Sequence, residues 1–295
     1  MTGWPTEPDL RATHHATQAL AQRLRLPFRS QTWRGQVGNW IGAGVGSSID
    51  FQDHRPYQPG DDPRHIDWRA YGRTGHYIMK LYREEVTPLV DVALDLSDSM
   101  LFDDAKRTRT AELLYFSLES ARQSDASLRL FAVRGPHWVP WELASILAYR
   151  PPIFADTATG AHEPPVLRNI PWRTGALRVF ISDLLFAGSP EPLLQPLTGG
   201  KGRGLIFAPY CRAEASPDWA GDIEFVDCEN GHRQIQHIES RLLRRYEDAY
   251  RRHHELWREH CQKRAVTLAR VAAEQPLAAT LQAEALPVGA VELWV

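Results

Sequence analysis

The sequence predicts an α/β fold, a mostly parallel sheet with helices on both faces, preceded by a small N-terminal β-rich subdomain. Two observations lead to this prediction. From Pro88 onward, short apolar runs alternate with helical patterns, which is typical of βαβ units. Before Pro88, the segment 33–85 is broken by repeated glycines with aromatic and charged residues between them. We therefore expect two domains, residues 1–87 and residues 88–295.

The first part of the chain contains a helical pattern and then a strand-like one. Over residues 9–25, alanines and leucines recur at helical spacing, which predicts an amphipathic helix packed on a neighbouring element. Residues 33–85 predict short strands. The glycines Gly42, Gly44 and Gly46 lack the lysine and the strand-to-helix context of a phosphate loop, so they predict a flexible turn.

The sheet itself is predicted from short apolar runs. The run 89–95 is mostly apolar on both faces, which indicates a central parallel strand. Helical spacing over 105–123 predicts the crossover that follows, and a turn at 134–136 predicts a short antiparallel return at 137–139. Residues 236–264 predict one long, charged helix. The runs predicted as strands are 89–95, 128–133, 177–182, 204–208, 223–227 and 265–269.

Composition narrows the class of protein. With 295 residues, 43% of them apolar and 24% charged, the chain has an ordinary globular composition. A formal net charge of −2 gives no general electrostatic reason to expect nucleic acid or an anionic membrane as a partner. No run approaches the ~20 apolar residues that span a bilayer. Cys211, Cys228 and Cys261 are odd in number and widely spaced, so they predict neither a paired disulfide framework nor a close-spaced metal site. We therefore expect a cytoplasmic protein.

Oxygen ligands cluster directly after the predicted central strand. Asp95, Ser97 and Ser99 lie two residues apart, so a carboxylate and two hydroxyls can point into one space at the ligand-binding edge of the sheet. Asp183 follows a second predicted strand, and parallel neighbours place both acids at the same edge. Such hard oxygens suit Mg²⁺, with Mn²⁺ or Ca²⁺ as alternatives. The structural alternative is a helix cap formed by Ser99 or Asp103.

The same residues resemble a known metal site. Asp95-x-Ser97-x-Ser99 after a buried strand, followed by Ser182-Asp183 after another, is similar to the metal-ion-dependent adhesion site (MIDAS) of von Willebrand factor A domains. A full adhesion site also has a threonine from a second loop. Thr157 and Thr159 are the candidates for that position.

The upstream sequence resembles a bacterial family called domain of unknown function 58 (DUF58). The residues that carry this resemblance are Arg55-x-Tyr57-x-x-Gly60-Asp61-Asp62-x-Arg64-x-Ile66-Asp67-Trp68, followed by Arg73 and Tyr77-Ile78-Met79-Lys80. The resemblance implies a von Willebrand A-like α/β domain behind a small β-rich subdomain. It also implies an association with MoxR-type AAA+ ATPases.

The charged residues of this signature allow two interpretations. The arginines Arg55, Arg64 and Arg73 can neutralise the acids in an ion-pair network that holds the Pro59-Gly60 turn against a buried Trp68. Alternatively, the acids form a second cation site or a partner site. We favour the ion-pair network. The acids concerned are Asp61, Asp62 and Asp67.

A group of histidines and one cysteine lies on the long predicted helix. His253, His254, His260 and Cys261 do not have the spacing of a known zinc motif. Because that helix is charged along its length, we expect these residues to form a solvated face.

Two functional classes fit the predicted metal site. In the first, the chain is a non-enzymatic interaction module, in which a cation on Asp95, Ser97, Ser99 and Asp183 completes its coordination with an Asp or Glu of another protein. For this module, the DUF58 resemblance implies a MoxR-type AAA+ ATPase or its client as the partner. In the second, a metal-dependent hydrolase, the same cation activates water. The sequence has no motif that supplies the general base for hydrolysis, so we expect the interaction module.

Overall fold

The computed structural model describes residues 3–28, 37–45, 51–154, 163–228 and 231–294, and for 37–45, 51–53 and 81–86 it describes the backbone alone. The chain divides into two compact units. One consists of Met1–Phe28 with Leu89–Val295, and the other is Arg29–Pro88. The division expected from the sequence, 1–87 and 88–295, places the first 28 residues differently.

The secondary structure alternates strands and helices after residue 88. The strands are β1 (Leu24–Arg25), β2 (Val37–Val45), β3 (Phe51–Pro56), β4 (Ile78–Val86), β5 (Leu89–Asp95), β6 (Ser127–Arg134), β7 (His137–Pro140), β8 (Leu177–Ile181), β9 (Arg203–Tyr210), β10 (Gly221–Val226), β11 (Arg233–Ile238), β12 (Thr267–Ala272) and β13 (Glu292–Leu293). The helices are α1 (Glu7–Ala21), α2 (Trp68–Thr74), α3 (Asp104–Gln123), α4 (Leu143–Leu147), α5 (Glu191–Thr198), α6 (Arg212–Ala215), α7 (Ser240–Lys263) and α8 (Leu277–Thr280). A π-helical turn, Leu281–Ala285, continues α8.

The larger unit is built on a six-stranded sheet in the order β12-β9-β8-β5-β6-β7. All neighbouring strands are parallel except β6 and β7, which form the predicted antiparallel return. β5 lies inside the sheet and is buried from Val90 to Asp95, as expected for a strand flanked by helices. Leu94 pairs with Ile181 of β8, so Asp95 and the residues after β8 lie at the same edge. The mostly parallel α/β sheet predicted from the sequence is confirmed.

α3 is buried along most of its length because it has neighbours on more than one side. Its N-terminus is capped by Asp103, whose carboxylate accepts the Lys106 backbone N–H at 2.9 Å. α1 packs on α3, where His14 Nε2 lies 2.8 Å from Glu119 Oε1. β1 and β13 pair nearby, with Leu24 opposite Leu293. These contacts explain why the first 28 residues belong with the larger unit.

Some predicted elements differ from the structure. The run 223–227, predicted as a strand of the sheet, forms β10 of a separate antiparallel hairpin with β11. Its alternating half-buried and exposed residues are typical of a hairpin with one covered face. The helix predicted from residue 236 begins later, at Ser240, because residues 236–238 belong to β11. The helix predicted over 9–25 ends at Ala21, because the next residues turn into β1.

The smaller unit contains a three-stranded antiparallel sheet in the order β2-β4-β3. Asp67 caps α2, since its carboxylate accepts the backbone N–H groups of Arg69 and Ala70 at 3.0 and 3.1 Å. The three-stranded sheet gives this segment the β-rich character that the sequence predicted. Gly42 and Gly44, predicted as part of a flexible turn, lie in β2 instead, and Gly46 is outside the described residues.

Candidate functional site

The predicted metal ligand Asp95 lies at the carboxyl end of β5 and is 1% exposed. Its Oδ1 accepts the Ser97 backbone N–H at 3.0 Å, and its Oδ2 accepts the Ser182 hydroxyl at 2.8 Å. Ser182 directly follows β8, the neighbouring parallel strand. The register of the sheet therefore supplies the Ser182 hydrogen bond that helps to orient this carboxylate.

Ser97 and Ser99 place two hydroxyls beside this strand end. Their Oγ atoms lie 3.1 Å apart, and both residues are half-buried. Asp98, between them, points elsewhere, since its carboxylate pairs with Arg134 at 3.0 Å. The two hydroxyls form the less buried side of the site.

Asp183 is buried at the end of β8, and it lies close enough to affect Asp95. Its Oδ1 accepts the Leu185 backbone N–H at 3.0 Å. Burial and the negative charge of Asp183 together raise the pKa of Asp95 to about 7. The structure thus brings Asp95 and Asp183 together at one edge of the sheet. The candidate threonines Thr157 and Thr159 lie outside the described residues.

Two functional groups at this edge were not predicted from the sequence: Lys106 of α3 and Glu214 of α6. The Lys106 side chain is completely buried, and its Nζ donates to Asp183 Oδ2 at 2.7 Å and also to Glu214 Oε1. Burial alone would lower the pKa of Lys106, but the Asp183 and Glu214 carboxylates raise it above its ordinary value. Glu214 is held by the Cys211 backbone N–H, which donates to Oε2 at 2.9 Å. Lys106 therefore balances part of the negative charge at this edge.

The donor set fits a hard divalent cation that keeps water ligands. Asp183 and Glu214 share the buried Lys106 ammonium, whereas Asp95 feels the negative charge of Asp183 and has no cation of its own within the described residues, which is unfavourable for a buried, ionised carboxylate. One or two carboxylates with hydroxyls and waters are typical Mg²⁺ ligands. A cage of three or more acidic, histidine or cysteine side chains that could hold a metal ion does not occur among the described residues.

The charged signature in the smaller unit forms local ion pairs. Arg55 binds Asp61 with two hydrogen bonds of 2.7 and 2.6 Å, and Arg64 binds Asp62 at 2.6 Å. Asp67 does not pair with Arg55, Arg64 or Arg73 as predicted. It caps α2, bonds His54 at 3.1 Å and lies 3.8 Å from the Lys80 ammonium. These contacts agree with the ion-pair interpretation for two of the three acids.

Trp68, predicted to be buried beside these ion pairs, is instead 60% exposed. Its position explains the error. Trp68 is the first residue of the short helix α2, directly after the Asp67 cap, and its ring contacts Tyr71 and Tyr77 edge-on. Tyr71 and Tyr77 stack on each other with their centroids 4.6 Å apart. The aromatic residues form a surface cluster in place of a core.

The histidines and the cysteine predicted as a solvated face of the long helix are in part buried. His254 is 4% exposed and Cys261 1%, and with Tyr250 and Trp257 they recur at helical spacing on the buried face of α7. His253 is half-buried, with its Nε2 2.7 Å from the Leu184 carbonyl oxygen.

The fold and this edge of the sheet define an α/β protein with a six-stranded, mostly parallel sheet and a carboxylate cluster at the carboxyl ends of its inner strands. Residues 53–135 match the family model described as "Protein of unknown function DUF58". The match begins in β3 and ends just after β6, so it includes Asp95, Ser97, Ser99 and Lys106, and it supports the DUF58 resemblance. Searches of the curated proteins and of the solved structures gave no match. Among the described helices, none is both long and apolar enough to cross a membrane.

Proposed function

We propose that the larger unit is a von Willebrand A-like domain whose adhesion-type metal site binds Mg²⁺, or Mn²⁺ or Ca²⁺, and that the chain is a non-enzymatic protein-interaction module of the cytoplasm. Asp95, Ser97 and Ser99 are the proposed direct ligands, and Asp183 contributes directly or through water. The observation that carries this proposal is the pair of half-buried hydroxyls beside Asp95, a buried carboxylate that no salt bridge neutralises within the described residues.

The arrangement around Asp95 suits a cation that is shared with a partner. The Ser97 amide and the Ser182 hydroxyl fix the Asp95 carboxylate, while Lys106 holds Asp183 from the buried side. The cation would then be reached from the less buried side of the two serines. A divalent cation held by so few carboxylates keeps positions for water and for an incoming Asp or Glu.

The proposed partner follows from the DUF58 resemblance. It is a MoxR-type AAA+ ATPase or its client, and the chain would act as an adaptor in complex assembly or remodelling. A metal-dependent hydrolase has weaker support, because it needs a general base beside the cation. His253 reaches the loop after Asp183, but its Nε2 already lies within hydrogen-bond distance of the Leu184 carbonyl oxygen.

Metal binding is tested by titrating Mg²⁺ and Mn²⁺ into the full chain in a calorimeter. We expect saturable binding that Asp95→Asn abolishes, because the substitution removes the charge while keeping the shape of the side chain. Asp98→Asn is the matched control: it lies in the same turn, but its carboxylate pairs with Arg134. Unchanged binding in Asp95→Asn, or equal loss in both variants, would overturn the proposed site.

Partner binding is tested by co-purification with a MoxR-type ATPase. We expect the complex to dissociate in EDTA, to re-form with excess Mg²⁺ or Mn²⁺, and to be lost when one Asp or Glu of the partner becomes Ala. A complex that survives both EDTA and Asp95→Asn would place the interface on another surface.

A further inference from the structure

Four aromatic side chains lie in contact on the surface of the smaller unit, and the proposed metal site uses none of them. Trp68 is 60% exposed and Tyr77 is 49% exposed, while Tyr57 and Tyr71 are half-buried. Single exposed aromatic residues are common, but a contiguous exposed group of them marks an interaction site. We call the group formed by Tyr57, Trp68, Tyr71 and Tyr77 the aromatic surface.

Two nearly perpendicular planes within the aromatic surface form a corner. Tyr71 and Tyr77 stack with their centroids 4.6 Å apart. The indole of Trp68 stands at 84° to the Tyr71 ring and at 86° to the Tyr77 ring, with centroid distances of 6.1 and 6.5 Å. Tyr57 extends the group, since its backbone N–H donates to the Tyr77 carbonyl at 3.0 Å. An apolar ring of a ligand can therefore pack against two aromatic faces at once.

Gly72 leaves an open place beside the indole of Trp68. It follows Trp68 by one helical turn, so both residues lie on the same face of α2, and it is exposed. A Cβ atom at Gly72 would meet no described atom within 4 Å, so an alanine would fit there and would favour the helix more than glycine does. The fold therefore does not require a glycine at this position. A bare backbone beside an exposed indole allows another chain to approach closely.

Arg69 and Arg73 form a positively charged row beside this corner. They lie one helical turn apart and directly follow Trp68 and Gly72 in the sequence, so the two rows run side by side on α2. Both arginines are exposed, and within the described part of the chain neither side chain forms an ion pair or a hydrogen bond. Like charges one turn apart do not stabilise a helix. The two guanidinium groups are therefore available to a ligand.

This combination of side chains favours a protein segment as the ligand. Trp, Tyr and Arg are the residue types that contribute most to binding at protein interfaces. Aromatic-lined surfaces receive the prolines of extended polyproline II segments, and free guanidinium groups select carboxylates. A single-stranded nucleic acid could also stack on the rings, but its phosphates call for a larger number of free cations. Two other arginines of the smaller unit, Arg55 and Arg64, are already paired with Asp61 and Asp62.

We propose that the aromatic surface and α2 bind an acidic, proline-containing segment of another protein in the polyproline II conformation. A proline ring packs in the corner beside Trp68, the backbone of the segment passes over Gly72, and its carboxylates pair with Arg69 and Arg73. Three residues form one turn of such a segment, so acids at every third position lie on one side of it. The contact needs no metal ion, and it belongs to the smaller unit, whereas the proposed metal site belongs to the larger one.

The test is fluorescence anisotropy of labelled peptides titrated with the full chain in EDTA, so that its result does not depend on the proposed metal site. The probe peptide consists of three Glu-Pro-Pro repeats, which place the carboxylates on one side. We expect it to bind saturably. Gln-Pro-Pro repeats, which lack the charge, and Glu-Gly-Gly repeats, which lack the proline rings, should bind at least tenfold more weakly. Oligothymidine of the same length tests the nucleic-acid alternative and should not bind saturably.

Substitutions in the row of exposed side chains locate the contact. Trp68→Ala should weaken binding of the Glu-Pro-Pro peptide by about tenfold or more, the effect of losing an aromatic residue at the centre of an interface. The double variant Arg69→Ala with Arg73→Ala should weaken it by a similar factor. Arg251→Ala is the matched control, because Arg251 is an exposed arginine of the larger unit that is already paired with Asp248.

Gly72→Leu separates binding from folding. Leucine favours a helix more than glycine does, and a Cβ atom there meets no described atom within 4 Å, so the melting temperature should not fall. The leucine side chain would occupy the place of the peptide backbone, so binding should weaken by about tenfold or more. The proposal is wrong if the Glu-Pro-Pro peptide fails to bind the wild-type chain, if Gln-Pro-Pro repeats or oligothymidine bind as tightly, or if Trp68→Ala and Gly72→Leu bind the peptide like the wild type.

Discussion

Replacing Lys106 by Met tests whether the buried ammonium is needed to hold the carboxylates at the sheet edge. Lys106 is completely buried and contacts Asp183, which is 2% exposed, and Glu214, which is 10% exposed. Removing one partner of a buried ion pair leaves an uncompensated charge, and typically costs about 3–5 kcal/mol. Since a domain is stable by only about 5–15 kcal/mol, we expect Lys106→Met to remove a large part of the free energy of unfolding.

The measurement is urea unfolding followed by circular dichroism in EDTA at neutral pH. Arg107→Met is the control, because Arg107 pairs with Asp104, which is 90% exposed, and such a surface pair contributes about 0–1 kcal/mol. The double variant Lys106→Met with Glu214→Gln should recover part of the loss, since it removes one of the unpaired charges. If Lys106→Met and Arg107→Met have the same small effect, Lys106 does not neutralise this edge.

Two further predictions concern stability. Trp68→Ala should lower the melting temperature only slightly, because Trp68 is 60% exposed, whereas Ile66→Ala, at an 8% exposed position, should cost about 2–5 kcal/mol; a larger effect at Trp68 would contradict its exposure. Asp91→Asn should cost about 3–5 kcal/mol at neutral pH, because Asp91 is buried between Arg129 and Arg173. Burial tends to raise the pKa of Asp91, but the two arginines lower it below its ordinary value, so its stabilisation is complete above pH ~4 and is lost as the pH falls through the folded-state pKa. Urea titrations between pH 2 and 7 should show the wild-type advantage vanish at acid pH, and a difference that stays constant would refute this assignment.

The elements that the sequence predicted best are those with a single clear pattern. β5 was predicted over its full length, because a run apolar on both faces has few other placements in an α/β fold. β10 was assigned to the wrong sheet, because a five-residue run does not reveal its strand partner. The prediction that Trp68 is buried was wrong. An aromatic residue at the start of a helix can face either the core or the solvent, and the charged residues around it do not show which.

The sequence predicted the part of the candidate site whose residues follow a strand within a few positions. Asp95, Ser97 and Ser99 are close in the sequence, and parallel pairing places Asp183 beside them. Lys106 could have been suspected, because it lies three residues after the Asp103 cap, on a helix that packs against the sheet. Glu214 gave no such signal. It reaches the site only through the short helix α6 after β9, which is a property of the tertiary fold.

Two aspartates of β5 show why position in a strand alone does not identify a ligand site. Asp91 and Asp95 are both almost completely buried in the same strand. Asp91 is neutralised by Arg129 at 2.8 Å and by Arg173 at 2.7 Å, and its pKa is lowered. Asp95 has no such cation among the described residues, and burial together with Asp183 raises its pKa to about 7. A buried carboxylate that already has its arginines stabilises the fold, whereas one that lacks a cation at the ligand-binding edge is neutralised either by a proton or by a bound cation. This contrast is the physical reason for proposing the metal site at Asp95 and a structural role for Asp91.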